Sequence, residues 1–166
     1  MLVFTNGIAA LGEWVKVDVQ GTRQMEQSRA PDHAAALHIL AHSDTTASWR
    51  SKVLLGRGRY RFEGQVKVAG VKPLPFGKHQ GAGLRIAGSE RQSKGLLGNS
   101  EWRALSAEFE IMQERQEVEL VCELRASAGE VWFGTKSLSL AQISTVPARS
   151  MEPAITAKTN APGTNY

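Results

Sequence analysis

The residues with the clearest chemical content are Arg61, Glu63, Gln65 and Lys67, four polar side chains at every second position, interleaved with Tyr60, Phe62, Gly64, Val66 and Val68. A repeat of two puts the polar set on one face of a strand and the apolar set on the other, so one face is core and the other is wet. Planar guanidinium, carboxylate and amide groups in a row suit a ligand rich in hydroxyls, because each donates or accepts in a fixed plane. Arg85 stands on a separate β-rich run, expected beside this strand. Glu119 and Glu123 alternate with Val118, Leu120, Cys122 and Leu124, which predicts exposure for the two acids. If these strands lie side by side, the polar residues form a groove; the competing reading is an ordinary solvated sheet face.

Other chemistries find less support. His33, His38 and His42 are five and four positions apart on a stretch that reads as a strand, which does not bring three imidazoles to one zinc ion. Cys122, the single cysteine, falls on an apolar face and reads as a small buried hydrophobe. No Ser-His-Asp order with a nucleophile elbow, no phosphate-binding glycine loop ending in Lys-Ser/Thr and no paired cysteine spacing occurs. Glu63 with Glu119 or Glu123 stays open as a carboxylate pair for glycoside hydrolysis, although hydroxyl acceptors or surface charges explain them more simply. Arg50, Lys52, Arg57, Arg59 and Arg61 together with a net charge of +4 would favour an anionic polysaccharide over nucleic acid, provided that they are contiguous.

These residues need strands to position them, and strands are what the chain offers. A length of 166 residues, 42% hydrophobic and 22% charged, suits one globular domain and excludes a large multidomain enzyme. No apolar run approaches the roughly eighteen residues of a membrane span. The first ten residues lack the pattern of a signal peptide, which leaves the compartment open. Short β-rich runs broken by glycine predict eight strands, at 13–19, 35–40, 48–55, 59–68, 81–87, 104–111, 117–125 and 131–140. Gly56-Arg57-Gly58 is expected to turn tightly between the third and fourth. Residues 147–166, with three of the six prolines and few sizeable apolar groups, read as a disordered tail or linker after a folded unit at 1–146.

Taken in order, Trp49, Gly58, Tyr60, Phe62, Lys67, Trp102, Leu105, Phe109, Gly129, Val131 and Phe133 resemble the galactose-binding-like jelly roll of the carbohydrate-binding modules appended to glycoside hydrolases. Asn6-Gly7 resembles the start of that family's first strand, and the likeness covers roughly residues 7–140. It implies an all-β, two-sheet sandwich that binds a polysaccharide or oligosaccharide through a polar concave sheet face, without catalysis. A parent glycoside hydrolase would be the partner, and an extracellular location would follow if that enzyme is secreted. Arg61, Glu63, Gln65, Lys67, Arg85, Glu119 and Glu123 are the candidate ligand-binding residues, with Phe76 as an exposed ring in the loop at 73–80. Trp14 is a further candidate ring, whereas Trp49, Trp102, Trp132 and Phe133 correspond to core aromatics of the family.

Gly134 stands where the resemblance places an aspartate, which puts in doubt the structural calcium that many such modules hold; Glu13, Asp18 and Asp32 make no loop with calcium-ligand spacing. No cofactor is expected. The alternative function is a structural spacer or protein-interaction sandwich within a larger enzyme, because the shared pattern is mostly turns and core.

Overall fold

The computed structural model describes residues 2–144, so the expected tail at 147–166 lies outside the described residues. Seven strands, all paired antiparallel, make up the described part: β1 (Ile8–Ala10), β2 (Val15–Arg29), β3 (Ala35–Lys72), β4 (Gly81–Ile86), β5 (Gly98–Ala126), β6 (Ala128–Gly134) and β7 (Ser139–Ser144). A single 3-10 turn, Thr135–Ser137, separates the last two.

The architecture follows from one long ribbon. β3 and β5 pair from Thr45↔Ala126 to Val71↔Gly98, and the register breaks between Gly56 and Gly58, where Arg57 opposes residues 112–114. Bulged corners of this kind let a strand pass from one sheet of a sandwich to the other while staying paired. The tight turn expected at 56–58 is therefore a corner, and three of the expected strands are segments of β3. Likewise 104–111 and 117–125 are two arms of β5, and 131–140 is divided by the 3-10 turn.

On one side of the corner, residues 45–56 of β3 lie between the first part of β2 and the second arm of β5, which pairs onward with β4. On the other side, residues 58–72 lie between the first arm of β5 and the tandem β6 and β7; β6 also pairs with residues 36–41, and β7 with β1. We call these the first and second sheets.

Their inner faces share one core. Trp49, Leu84, Leu120, Cys122 and Leu124 come from the first sheet, and Leu37, Ile39, Tyr60, Phe62, Val66 and Phe133 from the second. Each large apolar side chain so buried contributes about 1.5–3 kcal/mol. Burial pushes the Cys122 thiol well up, consistent with a packing role. Trp14, expected as a free ring, is instead buried in the shared core and stacked on Phe62 at 6.2 Å between centroids.

Trp132 and Trp102 differ from expectation in the opposite sense. Val131 and Phe133 point inward, so alternation turns Trp132 outward, where it packs with Ala30 and Ala36 on the far side of the second sheet and partly buried Trp102 joins it. The Trp102 ring also covers Gly134: a Cβ there would sit 3.6 Å from the ring and 3.1 Å from Ser137 Oγ. Asp32, close in space, accepts the Trp102 indole N–H at 2.8 Å, a bond that holds its carboxyl below the usual value. Gly134 thus supplies no carboxylate where the resemblance places an aspartate, and the nearby Asp32 serves the Trp102 indole.

Candidate functional site

The strand registers assign the candidate residues to two outer faces. Arg61, Glu63, Gln65 and Lys67 point outward from the second sheet, while Arg85, Glu119 and Glu123 point outward from the first. The expectation that Arg85 neighbours the Arg61 strand fails, because β4 pairs with residues 120–125 of β5 and the Arg61 strand pairs with its other arm. Glu63 therefore lies across the sandwich from Glu119 and Glu123, and forms no carboxylate pair with either. Glu119 and Glu123 share a face but stand four residues apart on one strand, about 13 Å at some 3.3 Å per residue. That exceeds the roughly 5–9.5 Å separation of hydrolytic carboxylate pairs.

The first sheet's outer face is built in rows. One row runs Arg50, Val121, Arg85 and on to Gln92, each opposite the next on adjacent strands. Val121 is fully buried although it faces outward, because long basic side chains on either side cover it with their stems. The next row holds Ser48, Glu123 and Gly83. Glu123 accepts two bonds from Arg85, at 2.9 and 2.8 Å, and one from Arg125 at 3.1 Å. Glu123 is thus 4% exposed rather than open to solvent as alternation alone suggested. Burial by itself raises this carboxyl; the Arg85 bonds and charge, helped by Arg125, outweigh it and hold the group below its ordinary value. Arg85 in turn is raised by its bonds to Glu123. A fork-to-fork pair of this kind fixes both side chains in one orientation.

Beside this pair opens a cavity of about 230 Å³ lined by Arg85, Glu123, Gln92, Ser93, His79 and Gln80, with Gly81, Gly83 and Gly95 in its walls. Gly81 is required there: its φ is +89°, and a Cβ would come 2.4 Å from the Leu96 carbonyl oxygen. The loop that supplies His79 and Gln80 also carries Phe76, whose ring is 84% exposed. Gln80 braces this loop, donating to the Phe76 carbonyl at 2.7 Å and accepting from the Leu74 amide at 2.7 Å.

His79 was not singled out by the sequence. Its backbone is left-handed, φ 62°, and its Nδ1 is buried without a hydrogen-bond partner among the described atoms. Both features belong to ligand-contact positions, where strain and unsatisfied polar atoms concentrate. The Pro-Phe-Gly-Lys-His composition of the loop was the available signal.

The basic residues do not form one patch. Arg50 pairs with Glu119 at 2.8 Å on the first sheet, whereas Arg59 and Arg61 meet Glu108 and Glu63 on the second. His38 is likewise separate, bonded to Glu130 at 2.8 Å and stacked on Trp132. Among the described residues, no three His, Cys, Asp or Glu side chains gather as metal ligands.

No protein-family model matches the sequence, and no curated protein does either. Solved structures do. A CBM61 carbohydrate-binding module in complex with β-1,4-galactotriose superposes with a TM-score of 0.54 at 15% identity, over 82% of this chain and 92% of that one. The CBM22–GH10 modules of Clostridium thermocellum endo-1,4-β-D-xylanase 10B, complexed with xylohexaose, give 0.51 at 13% identity, over 78% of this chain and 26% of that one. The chain thus shares the β-sandwich fold of these two modules.

Proposed function

We propose that the protein is a non-catalytic carbohydrate-binding module whose ligand lies on the outer face of the first sheet, against Arg85 and Glu123, with no cofactor. The observation that supports this most is the cavity beside the Arg85–Glu123 pair. Its wall combines a guanidinium and a carboxylate locked in place, two amides, a hydroxyl and a half-buried imidazole, and an exposed phenyl ring stands on the adjoining loop. Rigid planar donors and acceptors beside an aromatic face are what a pyranose with its ring of hydroxyls requires. At about 230 Å³ the cavity is smaller than the roughly 300–1,000 Å³ of enclosed small-molecule sites, so it would seat one sugar ring while the rest of a chain runs along the open face.

Arg85 and Arg125 share Glu123 and Arg50 meets Glu119, so these ion pairs leave one positive charge on the face. Neutral and weakly acidic polysaccharides both suit that balance. Arg61, Glu63 and Gln65, on the other sheet, take no part in this groove. A parent glycoside hydrolase is the partner in keeping with this role, and an extracellular location follows if it is secreted.

Native affinity gels containing neutral and acidic polysaccharides test the proposal. Retardation in at least one polysaccharide, weakened by Arg85→Ala and unchanged by Gln65→Ala, is expected. Migration unaffected by every polysaccharide would favour a spacer or protein-interaction module instead.

A further inference from the structure

The outer face of the second sheet holds a second cleft, which the groove does not use. It has a volume of about 370 Å³ and is lined by Lys67, Asn99, Ser100, Glu101, Trp132 and Pro31, with Val68 and Ala69. A bulge creates it: Val66 pairs with Arg103 and Val68 with Ser100, so Glu101 and Trp102 together oppose Lys67. Bulges at such places re-aim side chains beside sites.

Two polar side chains of the cleft, Ser100 and Asn99, keep unused hydrogen-bonding capacity. Ser100 Oγ is buried with no hydrogen-bond partner among the described atoms. Asn99 uses its carbonyl oxygen to accept the Gly70 amide at 2.8 Å, which leaves its side-chain N–H groups to donate. Lys67 Nζ meets Glu101 at 2.7 Å, so the charge is balanced; the lysine is mostly covered and the glutamate is 91% exposed. Trp132, 7% exposed, lines the base of the cleft, its ring packed with Ala30 and Ala36 and stacked on His38 at 5.2 Å.

We infer that this cleft is a second carbohydrate site, for a neutral oligosaccharide that lies over the cleft with its hydroxyls reaching Ser100, Asn99 and the Lys67–Glu101 pair. A buried hydroxyl without a partner costs stability unless something bonds it, and a sugar hydroxyl does so. The inference stands on residues separate from those of the groove. Two sites on opposite outer faces would let one copy bridge two polysaccharide chains.

Calorimetric titration with xylohexaose, cellohexaose and β-1,4-galactotriose tests it through stoichiometry. The wild-type protein is expected to bind two molecules of at least one of these per chain. Ser100→Val should reduce that to one while leaving the melting temperature unchanged or higher, because an unsatisfied hydroxyl is replaced by a residue suited to a strand. Lys67→Met, whose partner is largely in solvent, provides a second variant and should weaken the same event at least fivefold. Arg85→Ala should remove the other event alone. Two molecules still bound by both Ser100→Val and Lys67→Met, or a single event abolished by Arg85→Ala, would overturn the second site. A single event abolished by Ser100→Val and untouched by Arg85→Ala would instead uphold it and remove the groove. No binding of any of the three sugars would overturn both.

Discussion

The two outer faces of the sandwich are made by the same ribbon, yet they solve the problem of displaying polar groups differently. On the first sheet, two adjacent strands, β4 and β5, bring Arg85, Glu123 and Arg125 together, and the carboxylate is buried under the guanidinium groups that pair with it. On the second, Arg61, Glu63 and Glu108 form a looser set in which every side chain is at least one-third exposed. The density of a polar cluster depends on which strands the ribbon sets side by side. Alternation within a strand decides only inside or outside.

The largest effect reaches both faces through the core they share. Phe62→Ala removes a fully buried ring from the shared core and should cost about 3–5 kcal/mol, read by denaturant unfolding. Both faces would lose their ligands together, in proportion to the unfolded fraction. A smaller change separates the faces. Gly81→Ala, at the groove, and Gly129→Ala, whose φ is +107° and whose Cβ would meet the Gly70 carbonyl oxygen at 2.5 Å, should each cost about 2–3 kcal/mol through backbone strain. Titration of the surviving folded protein should show the first impairing binding at Arg85 and the second sparing it.

Glu123→Gln sharpens the contrast further. It should destabilise by about 2 kcal/mol, less than the roughly 3–5 kcal/mol of a fully buried pair, because Arg85 retains some solvent contact. It should also alter the response to acid. The carboxyl of Glu123 is held below its ordinary value of 4.5, so its contribution is complete above that pH and is lost as the pH falls through the folded value. Acid unfolding of the wild-type protein between pH 5 and pH 3, followed by circular dichroism, should therefore be steeper than that of Glu123→Gln. The smallest effect belongs to the second sheet: Arg61→Ala should change stability by no more than about 0.5 kcal/mol and leave groove affinity unchanged, since its ion pairs are screened by water.

Much of the fold is written locally. Tyr60, Phe62, Val66 and Val68 face the core as their spacing predicts, and so do Val118, Leu120, Cys122 and Leu124. The corner at Gly56–Gly58 was not legible because glycines permit a tight turn and a bulged crossing alike; the choice depends on β5 continuing opposite. For the same reason the sequence could not divide the candidate residues between two faces, since Arg61 and Arg85 have similar local surroundings. The burial of Glu123 comes from two arginines, one of them on another strand, which no spacing along β5 reveals. Trp132 was readable in hindsight from the inward positions of Val131 and Phe133, but its place in the resemblance pointed to the core. Phe76 is exposed as expected, and the left-handed His79 beside it had no signal beyond the composition of its loop.

The most direct test of the central claim is a two-dimensional amide NMR titration of the wild-type protein with the oligosaccharide of whichever polysaccharide retards it. The account requires shifts at the backbone amides of Gly83, Arg85, Gln92 and Ser93 that saturate with added sugar. Sugar-dependent shifts that leave all four amides unmoved would contradict it.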